Sequence, residues 1–313
     1  MAPSRRASTL NVWLALGTVY LVWGSTYLAI AIAVQTLPPL FYSGVRFFSA
    51  GLILAAWLAF RGVDLRVSRR ELLGAAVVGT LLLAVANGLV NVAERTVPSG
   101  VAALIVASIP LWIVVYRKVA GEHVGRDLLG GVFLGLVGVA ILVVPGGLNG
   151  SIDPFGAIVL FIATLSWALG TFLSPRLRTP RNAFVSTAYQ MLAGGVVLMV
   201  FATAKGEIAN VDPASFSLRS LLAFAYLVGF GSLVAFSAYT WLLQNASVSL
   251  VSTYAFVNPV VAVVLGALIL SEPITPNVLI GAAVIVVAVA FIVFRQNAAR
   301  RAERLAPIAE AAD

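Results

Sequence analysis

The stretch Tyr20-Leu21-Val22-Trp23-Gly24-Ser25-Thr26-Tyr27 decides how this chain is read, because its pattern returns 144 residues later as Thr164-Leu165-Ser166-Trp167-Ala168-Leu169-Gly170-Thr171. Tyr20, Trp23 and Tyr27 map onto Thr164, Trp167 and Thr171, and both triplets run i, i+3, i+7. Each therefore lies along one helical face of an otherwise aliphatic segment. The offset carries on into the next segment, pairing Arg46 with Gln190 and Ala50-Gly51 with Gly194-Gly195. It then widens to 149 at Pro110 and Pro259, and to 150 at Glu122 and Glu272, Val124 and Ile274, and Gly131 and Gly281. Internal duplication of a membrane-spanning unit is a transporter signature.

Hydrophobic residues make up 61% of the 313 residues and charged residues 10%, which leaves too little polar surface to wrap a soluble globule of this size. Apolar runs of about 20 residues, enough for a helix to cross ~30 Å of hydrocarbon, fall near 12–34, 40–60, 71–93, 98–116, 127–144, 154–174, 184–203, 219–243, 247–270 and 276–294. The expected fold is all-α, a polytopic membrane protein with ten transmembrane helices. Period-2 alternation is absent, which excludes a barrel. The expected units are a cytoplasmic segment 1–11, a first five-helix repeat 12–144, a loop 145–153, a second five-helix repeat 154–294 and a basic tail 295–313. Arg5 and Arg6 before an apolar run imitate a signal peptide, but the run is too long and too aromatic and reads as a retained first helix. With no cysteine, neither disulfides nor thiolate metal sites arise.

The net charge of +8 would suggest a nucleic-acid partner in a soluble protein. Its distribution says otherwise. With the N-terminus placed inside, sixteen of the twenty Lys and Arg residues, Arg66, Arg69, Arg117 and Arg176 among them, fall on the cytoplasmic side; Arg95, Lys205 and Arg219 fall opposite, and Arg46 lies within a helix. The positive-inside rule then puts both termini in the cytoplasm, with the lipid bilayer and not nucleic acid as the surrounding partner. An odd number of helices per copy turns the second copy upside down. Two inverted halves around a central site is the geometry of alternating access.

Several stretches, in this order and spacing, resemble the bacterial EamA-type transporters of the drug/metabolite transporter superfamily. They are Trp23-Gly-Ser-Thr-Tyr27, Arg46-Phe-Phe-Ser-Ala-Gly51, Val97-Pro-Ser-Gly-Val-Ala-Ala103, Ser108-Ile-Pro-Leu-Trp112, Ala255-Phe-Val-Asn-Pro259 and Leu270-Ser-Glu-Pro273. The resemblance covers Val12 to Phe294. It implies two five-helix halves around a central cavity in the bacterial inner membrane, moving small metabolites, often outward. Its wording is closest to exporters of amino acids, pigments or related metabolites, with a multidrug or toxic-compound exporter as the alternative.

The candidate binding residues come from four features. Thr80, Asn87, Asn91 and Glu94, spaced 7, 4 and 3, mark one face of the third helix. Such groups are costly against lipid and should face the bundle interior, either lining a cavity or bonding helices together. Arg46, about two turns from the far entrance, needs an anion: Glu94, or a substrate carboxylate gripped by two prongs. A packing role bonded to carbonyls is the other reading of Arg46, and neutral Gln190 at the matching position makes the site asymmetric.

Tyr20, Trp23, Tyr27, Trp112, Trp167, Tyr239 and Tyr254 can surround a central volume, joined by Thr171 and by Asn258 one turn beyond Tyr254. Trp13, Trp57 and Trp241, nearer segment ends, read as an interfacial belt. Pro110 and Pro259, at matching positions in helices four and nine, each remove a hydrogen bond and are candidate hinges or static kinks. Gly131 and Gly135 form a small-residue patch for close packing, inside the fold or across a homodimer; monomer and homodimer both stay open.

Glu94 is the one plausible proton carrier, since no Asp or Glu falls at the middle of a segment. Glu122 and Glu272 sit in matching turns and read as caps or salt-bridge partners. No cofactor or metal is expected: the single His123 is in a loop and no GxxxxGK[ST] sequence occurs. A membrane-embedded enzyme would need a Ser/His pair, paired aspartates or a histidine-rich metal site, and none can be assembled. The expectation is a secondary transporter for a small-molecule substrate.

Overall fold

The computed structural model describes residues 9–122, 125–148, 152–246 and 254–310. Among these there is no strand, and ten helical rods follow one another. They are α1 (Thr9–Ala33), α2 (Pro39–Phe60), α3 (Arg69–Ala93), α4 (Ser99–Val119), α5 (Arg126–Leu148), α6 (Pro154–Leu173), α7 (Ala183–Ala204), α8 (Leu218–Tyr226, Leu227–Val234 and Ala235–Asn245 in succession), α9 (Tyr254–Leu270) and α10 (Pro276–Glu310). Seven of them are long and apolar enough to cross a membrane, and Leu128–Leu142, Val257–Leu270 and Pro276–Ile292 are shorter apolar stretches. The protein is a polytopic membrane protein. The expected start of the ninth span, 247–253, and His123 lie outside the described residues.

Helix starts follow local chemistry. Ser68 and Glu71 form a reciprocal capping box at α3; Asp153 accepts from the Phe155 and Gly156 amides at α6, with Pro154 in the first turn; Asn182 and Ser217 cap α7 and α8. At α2, where Pro38 offers no side-chain oxygen, Glu207 from beyond α7 accepts from the Leu40 and Phe41 amides at 2.9 and 3.0 Å.

Packing runs between the two copies. α2 lies against α7 and α5 against α10, while α1 packs on α8 and α9 as α6 packs on α3 and α4. Gly195 permits the first of these approaches, since a Cβ there would sit 2.6 Å from the Phe48 amide nitrogen. In α5, Gly131 faces Phe291 and Ile292 of α10 and Gly135 faces Leu111 of α4, so this patch is spent inside the fold. Trp13 and Trp57 stand half exposed, whereas Trp241 is partly buried among α1 and α8 residues.

Two expectations are corrected. α4 does not bend at Pro110: it breaks at Ala107–Ser108, and Pro110 sits in the first turn of the second piece, Ile109–Val119, where no amide hydrogen is required of it. Pro259, by contrast, is inside α9. α3 is not one regular helix, because Thr80–Asn87 winds as a wider π-helical segment, matched in the second copy by Leu227–Val234 of α8. α10 continues as helix past the expected end of the last span, through the basic stretch to Glu310.

Candidate substrate cavity

A cavity of about 500 Å³ occupies the centre of the bundle. Its walls come from α1 (Trp23, Thr26, Tyr27, Ile30), α2 (Arg46), α3 (Ala86, Asn87, Val90), α4 (Ala103, Val106, Ala107, Ile109, Pro110, Ile113, Arg117), α6 (Ala163, Thr164, Trp167, Thr171, Phe172), α8 (Phe236, Tyr239) and α9 (Tyr254, Ala255, Asn258, Pro259). It reaches the arginine-rich end of the bundle at Arg117, Glu122 and Arg176 and goes no further toward the other end than Ile30, Val90 and Ala103.

One wall is an aromatic cluster. The Trp23 ring has its centroid 5.1 Å from Phe236, 5.0 Å from Tyr239 and 5.4 Å from Tyr254, two of these edge-on, and its Nε1 donates to the Gly231 carbonyl at 3.3 Å. Gly24, one residue on, lets α1 close onto α9, since a Cβ would lie 2.6 Å from Val261 Cβ. Asn258, with its amide nitrogen turned toward α1, donates to the carbonyls of Tyr254 at 3.2 Å and Tyr20 at 3.3 Å. Across the cavity stand Trp167, Thr164 and Thr171, the two threonine hydroxyls donating back to the carbonyls of Phe161 and Trp167.

Arg46 is the buried cation of this cavity. It is 3% exposed, its Nε donates to Ser232 Oγ at 3.0 Å, its guanidinium carbon stands 4.7 Å from the Phe47 ring centroid, and NH1 has no partner among the described residues. Glu94 is not its counter-ion: the ion pairs among the described residues join Glu122 to Arg117 at 2.6 Å and Glu122 to Arg176. At the mouth those two arginines hold the Glu122 carboxyl below the usual carboxylate range, chiefly through the hydrogen bond from Arg117.

The polar stripe expected on α3 is split. Asn87 lines the cavity, but Thr80, Asn91 and Glu94 do not. The i→i+5 winding of Thr80–Asn87 carries each residue through a smaller angle than an α-turn, so residues on either side lose a common face. Asn91 is fully buried, accepting from the Tyr42 hydroxyl and donating to the Asn87 carbonyl at 2.5 Å. Glu94 is 5% exposed, and neither carboxylate oxygen has a hydrogen-bond partner among the described residues.

Of the other candidates, Trp112 packs edge-on against Phe161 of α6, centroids 5.0 Å apart. Gln190 donates to Ser186 Oγ within α7, and Tyr20 belongs to the cluster of α1 and α8 residues beside the cavity. None of the three is in its walls. Tyr27, Pro110 and Pro259 are. Thr26, Phe236, Arg117, Glu122 and Arg176 line it without having been singled out as binding residues; as a sequence Arg117 and Arg176 read like any basic loop, and Glu122 as a cap or salt-bridge partner, which its ion pairs bear out.

The EamA-like transporter family model matches the chain twice, over residues 10–144 and 154–294. The chain belongs to the EamA-like transporter family. Among its relatives is the uncharacterized inner membrane transporter YedA of Escherichia coli K12, 44% identical over 253 residues, 80% of each chain. The uncharacterized transporter YoaV of Bacillus subtilis is 26% identical over 88% of this chain and 94% of its own. A chloroplastic WAT1-related protein of Arabidopsis thaliana is 26% identical over 92% of this chain and 71% of its own. A solved crystal structure superposes with a TM-score of 0.63 over 95% of this chain and 100% of the other; at 22% identity the likeness is one of fold. As a member of this family the chain is a membrane transporter.

Proposed function

We propose that the chain is a ten-span secondary carrier of two inverted five-helix repeats in a bacterial inner membrane. It exports small amphiphilic metabolites that carry a carboxylate, aromatic amino acids and related compounds foremost. The arginine-rich end is the cytoplasmic side, by the positive-inside rule, and the cavity opening there is the loading side.

The observation that carries the reading is the buried guanidinium of Arg46, which lines the cavity beside aromatic and aliphatic walls and whose NH1 has no partner among the described residues. A buried guanidinium without an anion is costly, and a carboxylate from the cargo supplies one in two-pronged geometry. Trp23, Tyr239, Tyr254 and Trp167 then offer ring faces and edges to an apolar or aromatic side chain, and Asn87 and Asn258 offer amide groups beside them.

The test is flux of a panel of amino acids and aromatic metabolites into proteoliposomes, with and without an imposed pH gradient. Saturable flux of carboxylate-bearing amphiphiles is the expected result, and flux confined to cationic or uncharged drugs would replace this reading with multidrug export. If flux follows the pH gradient, Glu94→Gln abolishes that dependence; a preserved dependence removes Glu94 as the proton carrier.

A further inference from the structure

The cavity has one open end and one closed end, and the closed end is built by α4 and α9. Toward the arginine-rich end these helices both line the cavity, through Ala107 and Pro110 on α4 and Tyr254 and Asn258 on α9. At the far end they touch. A Cβ on Gly100 would lie 3.0 Å from Val263, and one on Gly266 would lie 2.9 Å from the Ser99 hydroxyl oxygen.

Glu272, two residues past α9, lays its carboxylate on the first turn of α4. The Ser99 amide donates to Oε1 at 2.7 Å and the Gly100 amide to Oε2 at 3.0 Å. Those amides are orphan donors at a helix start and carry partial positive charge, so the bonds to a carboxylate are charge-assisted. Pro98, the residue preceding α4, provides no side-chain cap of its own.

Two backbone features hold the carboxylate there. Ser271 has φ 56°, the one left-handed non-glycine residue among the described residues. Such strain persists only where the surroundings impose it. Gly266 leaves the space that the Glu272 carboxylate fills, since a Cβ there would overlap it.

The duplicated partner behaves differently. Glu122, on the matching turn after α4, lines the open mouth of the cavity, where Arg117 and Arg176 hold its carboxylate. One copy of the glutamate is thus locked onto main-chain amides at the closed end, and the other is held by side chains at the open end.

We propose that Glu272 is the latch of the far gate: its carboxylate on the Ser99 and Gly100 amides clamps α4 to α9, and the cavity opens at that end when the latch releases. The inference rests on alternating access and on no assignment of cargo.

The chain has no cysteine, so one introduced thiol reports access cleanly. Val106→Cys, in the cavity wall on α4, is labelled with a membrane-impermeant maleimide from either side of oriented membranes. In the parent, labelling comes from the arginine-rich side. Adding Glu272→Ala raises labelling from the far side about tenfold or more, the response to losing two charge-assisted hydrogen bonds, and lowers it from the arginine-rich side. Glu272→Gln, which keeps the volume and one acceptor oxygen, moves the pattern the same way by less and covers the case in which the alanine variant does not fold. Adding Gly100→Cys with Val263→Cys, oxidised to a disulfide, reverses the gain. A labelling pattern identical to the parent in folded Glu272→Ala or Glu272→Gln protein overturns the latch. The readout needs no substrate, so it fails or succeeds separately from the flux experiment.

Discussion

Arg46 and Ser232 meet across the two halves of the chain, Nε donating to Oγ at 3.0 Å, and this one bond holds a buried guanidinium that lines the cavity and whose NH1 has no partner among the described residues. A carboxylate cargo would complete the set. Arg46→Gln therefore weakens binding of acidic and zwitterionic ligands by about 2 kcal/mol or more, roughly 30-fold in Kd, while the protein stays folded. Arg46→Lys keeps the charge but loses the fork and falls between the two. Equilibrium binding to purified protein checks this, with an uncharged analogue as control; equal losses for the analogue would assign Arg46 to packing.

Trp23 is fixed from two directions, by its Nε1 bond to Gly231 and by the edge-on rings of Phe236 and Tyr254. A rigid ring face discriminates between side chains better than a mobile one. Trp23→Leu is expected to weaken aromatic ligands about tenfold, the scale of one aromatic contact, and to leave aliphatic ligands within about twofold. Competition by a ligand panel against one tracer reads the difference, and a uniform loss would contradict the role.

In α1 and α6 the duplicated motifs and the cavity agree in part, with Tyr20 on the same regular helix left beside the cavity. Trp23 with Tyr27 and Trp167 with Thr171 lie on cavity walls because α1 and α6 are regular helices through their duplicated motifs. Agreement ends where the period changes. The segment from Thr80 to Asn87 is aliphatic apart from its two ends, so nothing in it signals a wider turn, and that turn moves Asn91 and Glu94 out of the face that Asn87 keeps. Trp112 is lost in the same way, since Pro110 announces a disruption of α4 but not the break at Ala107–Ser108 or the phase that follows it. The bond between Arg46 and Ser232 spans 186 residues of chain, and the clamp of Glu272 on Ser99 spans 173. Such pairs depend on how the two copies interlock, which no local pattern encodes.

Glu122 carries a pH signature. Arg117 and Arg176 hold its carboxyl below the usual carboxylate range. A depressed carboxyl contributes stability above its unfolded value, near ~4.3, and loses that contribution as pH falls through its lower folded value. The advantage of the parent over Glu122→Gln should be constant from pH 5 to 8 and vanish only in more acidic solution. Thermal unfolding of both proteins across that range measures it, and an advantage that disappears between pH 6 and 7 would show that another group controls the mouth.

The glycines of α3 and α5 make opposite predictions from the same substitution. A Cβ on Gly79 would fall within the carbonyl group of Gln190, where α3 meets the main chain of α7 and nothing flexible is there to yield. A Cβ on Gly130 meets no atom within 4 Å. Alanine is the better helix former by up to about 1 kcal/mol, so Gly130→Ala should be neutral or slightly stabilising. Gly79→Ala must push α3 and α7 away from each other and should cost about 1–3 kcal/mol, the range for overpacking a close contact. Thermal melts of the two variants in one detergent give the comparison directly. Because Gln190 is the second-copy counterpart of Arg46, a neutral Gly79→Ala would mean that α3 and α7 do not approach at this point, and with it would go the packing that seats the π-helical segment against the cavity.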